Sequence, residues 1–291
     1  MSDQAENLRL KLMQRNNSQA KAVAIVSGKG GVGKSNFSLN FAISLAKLGK
    51  RVLLFDMDIG MGNIDILMGR NTEFTIIDFF EKQIPLKEII STGPENISFL
   101  AGGSGLTDLF SLEESAFKRF LAELTHLTGQ YDYILFDMGA GINQDSSKFL
   151  LCVDELIVIT TPEPTAIMDA YSMMKYLNSI NHLIPFYLIC NRVETTKEGQ
   201  DTNKRLQNAL RKFLTKEITP LGLLPDDKTV SRAVIKQIPF ILFNPEARVS
   251  IALIEIASRF IKQSFSDDLT VKNRDFLGNL KRYFLGKKAH K

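Results

Sequence analysis

Residues 28–35 read Gly-Lys-Gly-Gly-Val-Gly-Lys-Ser and fit the spacing G-x-x-x-x-G-K-[ST]. With glycine at about 7% of residues, the four fixed positions arise by chance in roughly one chain in a hundred of this length. The flanks meet the motif's structural requirement. Before it, Ala22-Val23-Ala24-Ile25-Val26 is a short apolar run suited to a buried parallel strand. After it, Phe37, Phe41, Leu45 and Leu48 recur at helical spacing, and Gly49 closes the run. Glycines let backbone N–H groups converge on an anion, and the N-terminus of the following helix adds a favourable partial charge. In such a loop Lys34 holds the β- and γ-phosphates of a nucleotide and Ser35 ligates Mg2+. A second lysine, Lys29, follows the first glycine, so the loop carries one cation more than this grip needs.

The rest of the chain is read around that loop. Its 291 residues, 44% hydrophobic and 23% charged, have the composition of an ordinary soluble globular protein. No apolar run approaches the length of a membrane-spanning helix, and the polar, acidic start Met1–Asn7 is unlike a secretory signal. A cytoplasmic protein is expected. Cys152 and Cys190 fall in or beside strand-like runs far apart and read as buried small hydrophobes. The net charge of +4 is local. Residues 276–291 hold Lys281, Arg282, Lys287, Lys288 and Lys291 and no acid, so the body is near neutral.

Strand-like runs at 22–27, 51–56, 97–100, 132–137, 155–160, 186–191 and 220–224 alternate with helical patterns at 112–128, 145–151, 165–180, 202–215 and 246–264. Such alternation predicts an α/β fold: a single doubly wound, mostly parallel sheet with helices on both faces, the architecture of a P-loop NTPase domain. Three regions are expected: a polar arm at 1–20, the domain at 21–264, and a linker with a terminal helix at 265–291.

Two strand ends carry acids. Strand 51–56 runs into Phe55-Asp56-Met57-Asp58, and carboxylates at the C-terminal end of a parallel strand sit on the ligand edge of such a sheet. One of Asp56 and Asp58 would steady the Mg2+ shell and one would orient an attacking water. Tyr133-Ile134-Leu135-Phe136-Asp137 is an apolar strand ending in the acid expected to support Mg2+. Gly139-Ala140-Gly141 then offers a flexible loop near the γ-phosphate, suited to switching.

Together, Lys29-Gly30-Gly31-Val32-Gly33-Lys34-Ser35, Asp56-x-Asp58 and Asp137-x-x-Ala-Gly resemble the deviant Walker-A ATPases of the MinD/ParA family, over roughly residues 22–264. The resemblance implies ATP and ADP as ligands of Gly28 through Asn36, with Mg2+ served by Ser35, Asp56 and Asp137. It implies catalytic roles for Lys29, Lys34 and Asp58, with Asp58 positioning the hydrolytic water. Lys29 would reach across a face-to-face homodimer to the partner's nucleotide. Asn191 and the Leu224-Pro225-Asp226 turn match the segments that read adenine. Gly139 stands where the family usually has proline, which implies a looser loop.

The ends favour one branch. Asp3-Gln4-Ala5-Glu6-Asn7-Leu8-Arg9 resembles the N-terminal element of the FlhG (YlxH/FleN) group of flagellar-number regulators, which stimulates the signal-recognition-type GTPase FlhF. Asp3, Gln4, Ala5, Leu8 and Arg9 are therefore expected to meet such a GTPase, with Arg9 and Gln4 equal candidates for entering its site. The same resemblance implies contacts with the flagellar switch proteins FliM and FliN/FliY. At the other end Phe276, Leu277, Leu280, Tyr283 and Phe284 form one apolar face flanked by Lys281 and Arg282. This pattern reads as an interfacial helix for an anionic membrane, on the inner face of the cell membrane, or else as a helix docked on its own core. Each basic residue near such a surface is worth about 1 kcal/mol, so one copy anchors weakly and two anchor through avidity.

The overall expectation is a weakly active ATPase switch that controls flagella. A MinD-type division-site ATPase is the alternative within the family, although such proteins lack an arm like 1–20. A ParA-type partitioning ATPase would want a basic body, so DNA is not expected. An iron–sulfur carrier would need thiolate ligands, and the two cysteines lie in apolar runs. A binding scaffold without hydrolysis is the remaining alternative.

Overall fold

A computed structural model describes residues 19–58, 62–103, 114–139, 144–267 and 275–285. Eight strands form one sheet: β1 Lys21–Val26, β2 Val52–Met57, β3 Ser91–Thr92, β4 Ser98–Leu100, β5 Tyr133–Met138, β6 Glu155–Thr160, β7 Phe186–Val193 and β8 Ile218–Pro225. Their order is β3-β4-β2-β5-β1-β6-β7-β8, and only the β3–β4 pair is antiparallel. The central strands β2, β5 and β6 are buried along their whole length, as expected where helices cover both faces.

Strand alternation splits the core in two. Val23 and Ile25 of β1 face a layer with Phe41, Leu253 and Phe260, while Ala22, Ala24 and Val26 face one with Phe120, Phe149 and Leu177. The first layer is covered by helices α1 (Lys34–Lys47) and α11 (Arg248–Asp267). Between α1 and α11 in chain order lie the short helices α2 (Ile64–Leu67), α3 (Ile76–Glu81) and α4 (Leu86–Ile89). The longer α5 (Glu114–Thr128), α6 (Gln144–Leu150), α7 (Pro164–Ile180) and α8 (Thr196–Leu214) follow, then α9 (Lys228–Ile235) and α10 (Phe240–Phe243). A last helix, α12 (Phe276–Leu285), packs into the second layer.

The expected doubly wound sheet is present, with local departures. Helix α8 starts at 196 rather than 202, because Thr195 caps it: its hydroxyl accepts the Glu198 N–H at 3.2 Å while Glu198 accepts the Glu194 N–H at 2.9 Å. The first turn is polar, so apolar periodicity misses it. Helix α11 continues to Asp267, past the expected linker start at 265. The edge strand β3 and helices α2, α3, α4, α9 and α10 were not anticipated, since elements of two to eight residues carry too few turns to show a period.

The C-terminal helix takes the docked one of its two expected arrangements. Its apolar stripe is not a free membrane face here: Phe276, Leu277 and Leu280 are buried in the domain core. The Phe276 ring lies 5.5 Å from Phe136 and 6.0 Å from Phe149, and Phe284 lies 4.6 Å from Phe117. Lys281 and Arg282 remain exposed, and the Tyr283 side chain lies outside the described residues. Asp275 caps the helix by accepting the Gly278 N–H at 2.8 Å.

Phe260 joins α11 to the sheet, with ring centroids 5.4 Å from Phe41 and 5.7 Å from both Tyr133 and Tyr187. Phe260→Ala should destabilise the domain by about 3–5 kcal/mol. Urea unfolding at unchanged m-value measures this, and a loss under about 1 kcal/mol would mean that the layer collapses around the cavity.

Candidate functional site

The phosphate loop runs from β1 into α1 at the C-terminal edge of the sheet. Two glycines are dictated by close approach. A side chain at Gly28 would strike the Asp169 backbone of α7, and one at Gly33 would come within 2.5 Å of Asn191 Nδ2. Gly33 also adopts φ +90° as the N-cap of α1, a left-handed conformation that glycine tolerates.

Lys34 is buried and its Nζ lies 2.9 Å from Asp137 Oδ1, which also accepts from Ser38 Oγ at 2.8 Å. The other oxygen, Asp137 Oδ2, is buried with no hydrogen-bond partner among the described residues. An orphaned buried carboxylate oxygen is the acceptor that a metal-bound water satisfies. Ser35, half-buried, stands 3.5 Å from Lys34 Nζ through its Oγ. The residues therefore fit a magnesium ion held by Ser35 and the nucleotide's own oxygens, with Asp137 behind its water. Such an ion would supply charge neutralisation of the phosphates.

Asp56 pairs in register with Asp137 across β2 and β5. It is buried, and both oxygens accept backbone N–H groups: Oδ1 from Asp58 at 3.1 Å, Oδ2 from Asn63 at 3.0 Å and Ile64 at 3.3 Å. The expected metal residue thus also ties down the chain on both sides of 59–61. Burial, then the negative Asp137, pushes its carboxyl up to about 7, against the three N–H bonds. Asp58 is half-buried, and burial raises its pKa while Lys34 pulls it down. Its carboxylate faces Gly139, the position that replaces the family's usual proline.

Lys29 sits apart, exposed at the loop tip. Its Nζ lies 3.0 Å from Glu163 Oε2 and 3.1 Å from Thr165 Oγ1, at the start of α7. The two lysines of one loop therefore face different directions: Lys34 into the strand ends, Lys29 outward.

A cavity of about 670 Å3 opens beside the loop. Gly33, Asn36, Asn191, Pro225 and Asp226, named from distant motifs, all line it. Asn191 donates from Nδ2 to the Val32 carbonyl at 2.8 Å. Since a carbonyl needs a donor, the amide oxygen is the atom left for a base. Arg192, Lys228, Ser231 and Phe240 also line the cavity and were missed. One signal was readable: Asp227 before Lys228-Thr229 is a helix N-cap, accepting the Thr229 N–H at 2.8 Å, and so predicts α9 beside the adenine turn.

The remaining sequence expectations divide. Cys152 and Cys190 are free and buried, and burial pushes both thiols up to about 12. Asp3, Gln4, Ala5, Leu8 and Arg9 lie outside the described residues.

The AAA-domain family matches residues 20–186. The antiactivator FleN of Pseudomonas aeruginosa is 30% identical over 82% of this chain and 85% of its own length. The flagellum site-determining protein YlxH of Helicobacter pylori is 38% identical over 75% of this chain and 74% of its own. The septum site-determining protein MinD of Pyrococcus horikoshii, solved with Mg-ADP, shares the fold with TM-score 0.67 over 84% of this chain and 97% of that one, at 23% identity.

A carboxyl titrating near 7 when folded and near 4 when unfolded binds its proton more tightly in the folded state. Stability should therefore fall as pH rises through that window and level off above it. In nucleotide-free protein, Asp56→Asn should flatten the decline in urea-derived stability between about pH 5 and pH 7.5. An unchanged slope would assign the decline to another group.

Proposed function

We propose that this chain, which belongs to the FleN/YlxH branch of the MinD/ParA family, is an ATPase switch that dimerises with ATP, binds the membrane and governs the number and placement of flagella. The observation that carries the proposal is the division between the two loop lysines. Lys34 is buried on Asp137, where it serves the subunit's own phosphates, and Lys29 is exposed with a single carboxylate partner among the described residues. An exposed ion pair of this kind is worth about 0–1 kcal/mol, so a triphosphate offered by a facing subunit displaces Glu163 readily.

When ATP enters, Lys34 exchanges Asp137 for the β- and γ-phosphates, and the freed carboxylate steadies the magnesium shell. Lys29 of each subunit reaches the other's phosphates, turning repulsion between two bound anions into attraction. Asp58 orients a water for attack on the γ-phosphorus, giving ADP and phosphate. Intrinsic turnover is weak, and loss of the γ-phosphate removes the charge that holds the dimer.

The C-terminal helix supplies the output. Phe276 rests on Phe136, the residue before Asp137, and on Phe149 of α6. Rearrangement around Asp137 in the ATP dimer loosens the groove and frees the helix. Burial of Phe276, Leu277 and Leu280 is worth about 1.5–3 kcal/mol each, and insertion into lipid restores most of it. Lys281 and Arg282 add attraction to anionic headgroups.

The arm at 1–20 stimulates an FlhF-type GTPase, and flagellar switch proteins such as FliM and FliN/FliY are further partners, both by family resemblance. A MinD-type division-site role would use the same nucleotide geometry. The Asp3–Arg9 element and the kinship with FleN and YlxH favour flagella over it.

Size-exclusion chromatography tests the switch. The wild type should run as a dimer with ATP and a monomer with ADP, and Lys29→Ala should bind ATP yet stay monomeric. A Lys29→Ala protein that dimerises normally would remove the central role of that lysine. Truncation after Asp268 should abolish flotation with anionic liposomes while ATP binding persists; retained flotation would move membrane binding elsewhere.

A further inference from the structure

Asn191 and Arg192 are consecutive, yet both line the same cavity. A regular strand sends consecutive side chains to opposite faces. The exception has a visible cause. Between Cys190 and Val193 the pairing of β7 with β8 slips: Cys190 sits opposite Leu223 but Val193 opposite Pro225, so β7 carries one extra residue. That residue is accommodated by Arg192 in the left-handed region, at φ +55°. The bulge closes with the Asp226 N–H donating to the Val193 carbonyl at 2.9 Å.

A left-handed arginine inside a strand is a strained choice, since glycine would take that conformation freely. Bulges beside binding sites re-aim side chains, and strain kept there points to use. Among the described residues, the other non-glycine positions with positive φ are Gln83, Glu95, Asn96, Thr215 and Gln237, none of which lines this cavity. Asp226 and Asp227 line the cavity too, yet Arg192 forms no ion pair or hydrogen bond among the described residues. An exposed planar cation is thus aimed at the cavity with nothing holding it. Leu224 and Pro225 add apolar surface to the same cavity.

We propose that Arg192 is a purine-binding residue, its guanidinium plane stacking on the nucleotide base that Leu224 and Pro225 take from the other face. This rests on the nucleotide reading of the site. Guanidinium stacks on aromatic rings through both its plane and its charge, which lysine does not reproduce. Asn191 would read the base edge and Arg192 its face, and the bulge is what lets neighbours in sequence do both.

The test is nucleotide affinity of the full chain by titration calorimetry with Mg2+. Arg192→Gly removes the side chain while relieving the backbone, so a purely conformational role predicts wild-type binding. Stacking predicts that ATP and ADP each bind about 3- to 30-fold more weakly to Arg192→Gly. It predicts the same loss for Arg192→Lys, and unchanged affinity for inorganic tripolyphosphate. Undiminished ATP binding by Arg192→Gly, full rescue by lysine, or an equal loss for tripolyphosphate would each overturn it. Thermal melts confirm that the variants fold. Failure of the wild type itself to bind ATP would instead sink the nucleotide reading.

Discussion

A buried ammonium–carboxylate pair, Lys34 on Asp137, holds the phosphate loop against the sheet. Lys34 opens α1, and Asp137 lies near the end of β5, so the pair joins the helix that leaves the loop to the strand beside it. Removing either partner would strand a charge in the interior, which is strongly destabilising. The pair is also incomplete, since Asp137 Oδ2 has no partner among the described residues. A contact that is costly to break and unfinished as it stands suits a place kept for phosphate and metal. The neighbouring acid follows from it: Asp56 lies beside Asp137 in register, and burial with that neighbour pushes its carboxyl up to about 7, which eases repulsion while Lys34 neutralises only one of the two.

Much of this was legible before any coordinates. Glycine spacing, a buried strand before it and a periodic helix after it specify the loop, because backbone close to an anion has few solutions. Asp56 and Asp137 were legible because each ends an apolar run, and Asn191, Pro225 and Asp226 through family resemblance. What stayed hidden was set by pairing rather than by composition. The slip that turns Arg192 into the cavity depends on how β7 meets β8, and no local signal records it. The Glu163 partner of Lys29 is 134 residues away. The apolar face of 276–284 was plain in the sequence, but periodicity says that a face is buried and not by what.

The helix that covers Phe136 and Phe149 would make the domain a competitor with lipid if the chain binds a membrane as proposed. In the proposed switch, lipid would accept the same side chains at similar free energy, so the balance would be set by small terms, among them the exposed Lys281 and Arg282 and the shape of a groove that adjoins Asp137. A near-balanced equilibrium is what a weak nucleotide signal can tip.

The two margins of the sheet constrain how copies of the chain can meet. At one side β3 contributes only two residues and runs against its neighbour. At the other, β8 carries Pro220 and Pro225, each lacking an N–H, and its ladder with β7 is interrupted twice. Neither margin presents a regular row of donors and acceptors for another strand. Growth by strand addition, which would be indifferent to nucleotide and open-ended, is thereby discouraged. The proposed dimer would instead use the loop surface around Lys29, where a two-fold arrangement closes on itself after two copies.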